Sequence, residues 1–338
     1  MEPNEMTERL AAFIREQTGA ASVAIDNLKR MPGGASREIW SFDAAINDSH
    51  GETRRALVLR RDPGAQRIDT SRRNEFAVLR AAYEDGLPVP EVLWLSDDRA
   101  VLGAAFFIME RIEGETLARR LLRDDTYADA RQVMPAQLAS ILARIHRVDP
   151  VKHKLDFLAP PGENAALTEV LRFQETFGML ALESHPAFEL AFRYLLARIP
   201  KTPRTALVHG DYRIGNVIFG PEGVRSILDW EIAHLGDPME DLGWICVRAW
   251  RFGAEDKPMG GLGSREQFFK EYEKESGSPV DPEVVRFWEV FGNLRWGIIT
   301  ISQARTHLDG FVRSVELASL GRRTVETELE LLNLIEGA

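Results

Sequence analysis

The chain has 338 residues, of which 44% are hydrophobic and 28% are charged, and its formal net charge is −10 at pH 7. This balance is typical of a soluble globular protein, and the length predicts about two domains or one unit with two lobes. No apolar run approaches the ~20 residues that cross a bilayer, and the N-terminus MEPNEMTERL lacks the apolar core of a secretory signal. We therefore expect a cytoplasmic protein without a membrane segment. Its negative charge also argues against nucleic acid as a partner.

The first third of the chain has the pattern of an antiparallel sheet. Apolar residues at helical spacing predict a leading helix over residues 4–17. Runs rich in β-branched and aromatic residues, separated by turn residues, predict strands after it. The predicted strands cover residues 21–31, 37–46, 53–61, 91–95 and 104–112. With a helix over residues 69–84 between the third and fourth strands, we expect a five-stranded sheet with one helix.

From residue 115 onward the pattern changes to helices. The predicted helices include residues 134–145, 165–180 and 185–199. Pro135 marks either the first turn of its helix or a kink. Short strands interrupt the helices within residues 204–230. We therefore predict an α+β fold with two lobes, residues 1–112 and a mainly helical lobe of residues 113–338.

The densest polar cluster in an apolar setting is LVHGDYRIGNVIF, residues 207–219. Phosphoryl transfer requires a carboxylate that orients an acceptor hydroxyl and a neutral oxygen ligand for Mg²⁺. Asp211 and Asn216 fit these two roles, and Asp229 supplies a second metal oxygen after the next strand. Alone, Asp211 could cap a turn and Asn216 could start a strand. The ordered set of three residues instead predicts a catalytic carboxylate, Asp211, beside a magnesium site.

These motifs resemble those of the aminoglycoside phosphotransferase and choline kinase family, relatives of eukaryotic protein kinases. Residues 209–211 with Asn216 resemble its HGDxxxxN catalytic loop, and Asp229 stands where the family carries a metal-binding Asp. Residues 236–242 resemble its GDPxxDL segment. The similarity covers roughly residues 20–310 and is greatest to the kinase domains found alone in bacteria or fused to acyl-CoA dehydrogenases. It implies a protein-kinase-like fold, with ATP and Mg²⁺ as cofactors.

The resemblance also places the nucleotide site in the first lobe. In the family, the turn between the first two strands covers the ATP phosphates, and the linker between the lobes presents its backbone to the adenine. Glycine suits such a turn because backbone N–H groups can then approach phosphate oxygens. The residues that the resemblance implies here are Gly33, Gly34 and Ser36 for the phosphates, and Met109, Glu110 and Ile112 for the adenine.

Arg60 is a departure from the family pattern, because protein kinases place a Lys at this position of the third strand. A guanidinium can pair with a phosphate or with a helix carboxylate, but its geometry differs from that of a Lys ammonium. The expected partner is Glu75 on the following helix, and both residues are implied in nucleotide binding. The alternative is that Arg60 and Glu75 are solvated surface charges.

The polar neighbours of the catalytic motif have other expected roles. We expect His209 to be a structural hydrogen-bonding residue, because the adjacent Asp already fills the role of base. Asp237 and Asp241 are expected to start a helix and to brace a loop. Glu231 could join the metal site or only lie beside it. The single Cys246 can form no internal disulfide and is expected to be a small buried hydrophobic residue.

These features predict an ATP- and Mg²⁺-dependent kinase that phosphorylates a hydroxyl of a small molecule. Only eleven residues separate Asp229 from Asp241, too few for the long activation segment on which protein kinases bind peptides. Arginines beside aromatic residues in the last third favour an anionic, partly apolar acceptor such as a hydroxyacyl-CoA or a hydroxy acid. They include Arg248, Arg251, Arg295 and Arg305, with Trp244 and Trp250.

Two alternatives remain open. One is phosphorylation of an aminoglycoside or another antibiotic. The other is a nucleotide-binding pseudokinase without turnover, which Arg60 alone supports. Neither the oligomeric state nor the phosphorylated hydroxyl can be read from the sequence.

Overall fold

A computed structural model of the chain describes residues 2–31, 38–61, 72–201 and 204–337. The chain divides into two compact units, Met1–Glu113 and Gly114–Ala338. Among the residues described, no helix combines the length and the apolar character needed to cross a bilayer. The predicted Gly33, Gly34 and Ser36 lie outside the described residues.

The N-terminal unit is built on a five-stranded antiparallel sheet in the order β1-β2-β3-β5-β4. The strands are β1 Ser22–Arg30, β2 Glu38–Asp48, β3 Gly51–Arg61, β4 Val92–Ser96 and β5 Phe106–Glu110. The helices are α1 Pro3–Thr18, α2 Arg72–Glu84 and the short α3 Arg99–Leu102. The predicted sheet is confirmed. Helix α3 was not predicted, because four residues are too few to show helical spacing in the sequence.

Successive side chains of β3 point to opposite faces of the sheet, so neighbouring residues contact different helices. Leu57 and Leu59 are fully buried and belong to one apolar cluster with Leu10 and Ile14 of α1. Arg60, the residue after Leu59, points to the opposite face, where it pairs with a residue of α2. The alternation of β3 thus separates the core under α1 from a charged face under α2.

The C-terminal unit is mainly helical, as predicted. Its helices are α4 Ala118–Arg123, α5 Ala128–Ile145, α6 Ala165–Leu180, α7 Pro186–Leu196, α8 Met239–Cys246, α9 Arg265–Ser276, α10 Pro282–Leu308, α11 Val315–Leu320 and α12 Thr324–Glu336. Its strands are β6 Ala206–Val208, β7 Val217–Gly220, β8 Gly223–Ile227 and β9 His234–Gly236, and they pair as β6–β9 and β7–β8. The 27-residue α10 contacts α6, α7, α8, α11 and α12.

Two details of this unit differ from the sequence-based expectation. Pro135 lies inside α5, because this helix begins at Ala128, so it does not mark the first turn. Strand β9 was not predicted, since three residues are too few to display a two-residue period.

Helices α8 and α10 approach each other closely at Gly243. A Cβ atom at this position would lie 2.6 Å from the Cβ of Trp288 and 2.7 Å from the backbone nitrogen of Glu289. Real Cβ atoms do not approach backbone that closely, so only glycine permits this crossing. The contact fixes α8 against the longest helix of the unit, and α8 carries residues of the candidate site.

We predict that Gly243→Ala lowers the free energy of unfolding by about 1–3 kcal/mol, because the added methyl group forces α8 away from α10. Gly178→Ala in α6 is the matched control, since a Cβ there meets nothing within 4 Å. This control should be neutral or should gain up to about 1 kcal/mol through helix propensity. Denaturant unfolding of both variants measures the difference. Equal stabilities would show that α8 and α10 are not in the described contact.

Candidate active site

The catalytic loop, residues 209–216, connects β6 to β7, and its backbone donates hydrogen bonds to Asp241 of α8. The two carboxylate oxygens of Asp241 accept the backbone N–H groups of His209 at 2.7 Å and Gly210 at 2.9 Å. Gly210 has φ +81°, and a Cβ there would lie 2.8 Å from the carbonyl oxygen of Ile232. The loop therefore needs glycine next to Asp211, and Asp241 gives its backbone N–H groups a fixed acceptor.

Asp241 is completely buried and receives a third hydrogen bond, from Nε2 of His146 at 3.1 Å. His146 follows α5, and its Nδ1 lies 2.8 Å from the hydroxyl oxygen of Tyr272 in α9. Burial alone would raise the pKa of Asp241, but the hydrogen bond and charge of His146, together with the backbone N–H of His209, hold this pKa below its usual value. The expectation that Asp241 braces a loop is confirmed. Asp237 accepts the N–H of Met239 at 2.9 Å, at the start of α8, as expected.

His209 is also completely buried, and both ring nitrogens are occupied. Nε2 donates to the carbonyl oxygen of Leu228 at 3.0 Å, and Nδ1 accepts the N–H of Asp211 at 3.2 Å. This pattern requires a neutral ring with its proton on Nε2. Burial lowers the pKa of His209, which agrees with a neutral imidazole. His209 thus has the expected structural role, because it ties the catalytic loop to the residue before Asp229.

The carboxylate of Asp211 is held by three side-chain donors. Oδ1 accepts Nε of Arg213 at 3.0 Å and the indole Nε1 of Trp244 at 2.8 Å. Oδ2 accepts Nδ2 of Asn216 at 2.6 Å. A carboxylate offers about four lone-pair positions, so, as far as the described residues go, one position on Oδ2 receives no donor. The side chain is 19% exposed, and a small molecule can therefore reach it.

Asn216 turns its amide nitrogen toward Asp211, since Nδ2 also donates to the Asp211 carbonyl oxygen at 3.0 Å. Its side-chain carbonyl oxygen is therefore the end available to a cation. The Asn216 backbone oxygen accepts the N–H of Leu228 at 2.8 Å, which places the loop beside Asp229. The charges of Asp211 and Asp229 both act on the His209 ring. The structure thus brings the three predicted residues, Asp211, Asn216 and Asp229, into one region.

Asp229 has φ +62°, in the left-handed region that costs a non-glycine residue on the order of 1 kcal/mol or more. Such strain is typical of functional positions. One carboxylate and one amide oxygen suit Mg²⁺, which binds few protein oxygens and keeps water or phosphate ligands. The donor set therefore fits the expected magnesium ion. Glu231 follows Asp229 by two residues and is half-buried. Its part in a metal site stays a prediction.

In the N-terminal unit, Arg60 and Glu75 form the predicted contact. Nη1 of Arg60 lies 2.6 Å from Oε1 of Glu75, with side-chain exposures of 7% and 1%. The alternative that they are solvated surface charges is therefore wrong. Glu75 also pairs with Arg72, a contact that the sequence pattern does not predict, because seven arginines lie within residues 54–73. One carboxylate thus lies between two guanidinium groups.

The segment expected to contact adenine begins in β5. Met109 is buried, and the N–H groups of Glu110 and Arg111 donate to Glu91 and Ala56 at 2.9 Å each. Ile112 is the first residue after these bonds. Its backbone N–H is therefore the first one along the chain, after the sheet, that could donate a hydrogen bond to a ligand.

Comparisons with known proteins agree with this geometry. Residues 38–286 match the profile of the phosphotransferase enzyme family. The chain is 29% identical over 284 residues to acyl-CoA dehydrogenase family member 10 of Mus musculus, covering 80% of this chain and 26% of that protein. It is 30% identical over 319 residues to the probable acyl-CoA dehydrogenase IBR3 of Arabidopsis thaliana, covering 87% and 38%. The chain thus spans between about a quarter and two fifths of these relatives.

Solved structures with the same fold include phosphotransferases and kinases. A putative aminoglycoside phosphotransferase from Ralstonia eutropha has a TM-score of 0.75 at 25% identity, with 98% of both chains covered. A choline/ethanolamine kinase family protein from Mesorhizobium loti has a TM-score of 0.59 at 18% identity, covering 97% of this chain and 95% of that one. Spectinomycin phosphotransferase in complex with ADP and spectinomycin has a TM-score of 0.62 at 13% identity, covering 96% and 98%.

The resemblance stated from the sequence is confirmed, and so is the kinase-like fold. The matched profile covers most of the chain, including the catalytic loop and Asp229. The chain therefore belongs to the phosphotransferase enzyme family.

Proposed function

We propose that the protein transfers the γ-phosphoryl group of ATP to a hydroxyl of a small molecule, with Asp211 as the catalytic residue. The observation that carries this proposal is the Asp211 carboxylate, fixed by three donors with one lone-pair position left on Oδ2. An acceptor hydroxyl that donates to Oδ2 has its oxygen oriented for attack, and Asp211 takes its proton as the bond to phosphorus forms.

Asn216 and Asp229 are proposed to hold Mg²⁺ through their side-chain oxygens. A bound magnesium ion supplies positive charge to the phosphate oxygens during transfer. In this chain, the role of Asn216 would be double, because its amide nitrogen fixes Asp211 while its carbonyl oxygen would be left to hold the cation. The same side chain would therefore couple the position of the base to that of the metal.

We propose ATP as the donor, bound by the N-terminal unit. The buried ion pair between Arg60 and Glu75 places a guanidinium, which can also bind a phosphate, at the position where protein kinases place a Lys. Ile112 is the proposed backbone donor to adenine. The spectinomycin phosphotransferase of similar fold binds ADP, which supports an adenine nucleotide. A pseudokinase is less well supported, because Arg60 forms the helix ion pair and Asp211, Asn216 and Asp229 lie together.

The ion pairs of the last third of the chain change what its arginines imply about the acceptor. The arginines expected to attract an anion are already paired: Arg295 with Glu240, Arg251 with Glu289 and Arg305 with Asp309. They therefore do not offer free positive charge. Three carboxylates of α8 and α10, those of Glu240, Asp241 and Glu289, are buried and bonded in the same way, so these three offer no acidic surface to a polycationic aminoglycoside.

The relatives provide the remaining argument for the acceptor class. The curated relatives are named as acyl-CoA dehydrogenases and are much longer than this chain. A kinase unit within such proteins would meet acyl thioesters on the same polypeptide. We therefore propose a hydroxyacyl-CoA or a hydroxy acid as acceptor, ahead of an aminoglycoside.

Replacing the catalytic carboxylate tests the proposed chemistry. Asp211→Asn should lower kcat by on the order of 10²–10⁴, with little change in ATP affinity, because the amide cannot take the hydroxyl proton. Asp229→Ala and Asn216→Ala should instead raise the Mg²⁺ concentration needed for half-maximal activity, since each removes a metal oxygen. ADP release over a Mg²⁺ titration measures both effects. Near-wild-type turnover of Asp211→Asn would remove this residue from the mechanism.

The acceptor class is tested by direct competition between substrate types. We expect kcat/KM for a 4-hydroxyacyl-CoA to exceed that for a kanamycin-type sugar under identical Mg²⁺-ATP conditions. The matched control acceptor is the acyl-CoA of the same length without the hydroxyl, which should give no more ADP than ATP alone. Phosphorylation of the sugar with none of the thioester would overturn this assignment.

A further inference from the structure

Trp244 makes a contact that neither the motif nor the proposed acceptor site explains. Its indole Nε1 donates to Oδ1 of Asp211 at 2.8 Å, and the residue is only 3% exposed. We propose that Trp244 is a positioning residue that fixes the catalytic carboxylate of Asp211, and that buried contacts through Arg295 and Glu240 hold its indole in place. This inference rests on the proposed role of Asp211 in phosphoryl transfer.

The three donors to Asp211 are not equivalent. Arg213 and Asn216 belong to the same catalytic loop as Asp211, so they move with it and can keep the carboxylate in place only relative to the loop. Among the residues that the structure describes, Trp244 is the donor to this carboxylate that comes from outside the loop. Because a carboxylate rotates easily about its last torsion, an external donor is needed to fix it relative to the helices. Trp244 lies next to Gly243, where α8 is fixed against α10.

The indole itself is held by Arg295 of α10. The guanidinium carbon of Arg295 lies 4.5 Å from the centre of the Trp244 ring, a cation–π contact, and the Arg295 side chain is 6% exposed. Nη1 of Arg295 donates to Oε1 of Glu240 at 3.0 Å. Trp250 packs on Trp244 with ring centres 5.3 Å apart. The guanidinium on the indole and the second ring beside it restrict rotation of the Trp244 side chain. Its N–H therefore stays directed at Asp211.

Glu240 is in turn held between two cations. Its other oxygen, Oε2, lies 3.1 Å from Nε2 of His234, whose Nδ1 donates to the carbonyl oxygen of Ile232 at 3.0 Å. Both ring nitrogens face oxygen acceptors, so His234 is an imidazolium. Burial works to lower the pKa of His234, but the charge and the hydrogen bond of Glu240 raise it to about 9. Arg295 therefore has a fixed partner, and its role is to support Trp244 and not to bind an anionic acceptor.

A matched pair of tryptophan variants separates the hydrogen bond from packing. Trp244→Phe and Trp296→Phe each replace an indole of the same aromatic cluster by a smaller ring. Trp296 packs on Trp250 at 4.9 Å, and its Nε1 has no hydrogen-bond partner among the described residues. Trp244→Phe should lower kcat for phosphorylation of a 4-hydroxyacyl-CoA by roughly 10- to 100-fold, the scale of a misplaced catalytic group. Trp296→Phe should stay within about twofold, because no bond to a catalytic group is lost.

The effects of Trp244→Phe on kcat, on the KM for ATP and on the Mg²⁺ requirement together distinguish a positioning role from a general loss of structure. In Trp244→Phe, the KM for ATP and the Mg²⁺ requirement should remain within about twofold of wild type, since nucleotide and metal contacts are unchanged. A merely structural role would lower the melting temperature and impair all three constants together. Equal kcat for Trp244→Phe and Trp296→Phe, with Asp211→Asn inactive, would overturn the inference while the proposed function stands. Full activity of Asp211→Asn would overturn the proposed function and the inference together.

Two further measurements do not depend on the folding of Trp244→Phe. In a ¹⁵N spectrum, Asp211→Asn should move the Trp244 indole N–H signal upfield, because a carboxylate acceptor is replaced by a weaker amide, and should leave the Trp296 signal unchanged. Arg295→Lys keeps a charge for Glu240 but loses the planar contact with the indole. It should reduce kcat several-fold with unchanged KM for ATP. An unmoved Trp244 signal, or full kcat in Arg295→Lys, would contradict the corresponding step.

Discussion

The carboxylate of Asp241 is the contact on which the candidate site depends. It accepts two consecutive backbone N–H groups of the catalytic loop and one imidazole N–H, all in a region without solvent. Each of these donors would otherwise be a buried polar group without a partner, at a cost of about 1–3 kcal/mol. The loop that presents Asp211 therefore keeps its shape because α5, α8 and β6 meet at one acidic side chain.

Helix α8 serves the site twice. Asp241 accepts hydrogen bonds from the backbone of the loop, and Trp244 donates one to the side chain of Asp211. The two residues are three positions apart and so project from neighbouring parts of one helical face. Gly243 lies on a different side of the helix, where it allows close contact with α10. A single eight-residue helix thus connects the packing of the unit with the geometry of its carboxylate.

Local sequence signals were enough for most of the fold and for the central trio. The two-residue alternation of β3 indicated its two faces, and the spacing of Asp211, Asn216 and Asp229 indicated the chemistry. The partners of buried charges could not be predicted in this way. Trp244 and Asp211 are 33 positions apart, and the arginine pairs with Glu240 and Glu289 span 55 and 38 positions. Such pairs depend on how helices pack, which no short pattern encodes, and the arginines therefore looked like free cations.

His234 carries its positive charge only over a limited pH range, and its ion pair with Glu240 is limited to the same range. Its pKa of about 9 in the folded protein lies above the ordinary 6.5, so its contribution to stability is complete below pH 6.5 and disappears as the pH rises through 9. Glu240 and, at longer range, Glu169 are the carboxylates that maintain this shift. Acidification of the surroundings therefore leaves the charge on His234 intact. Alkaline conditions remove it, and Glu240 is then left with Arg295 as its remaining cationic partner among the described residues.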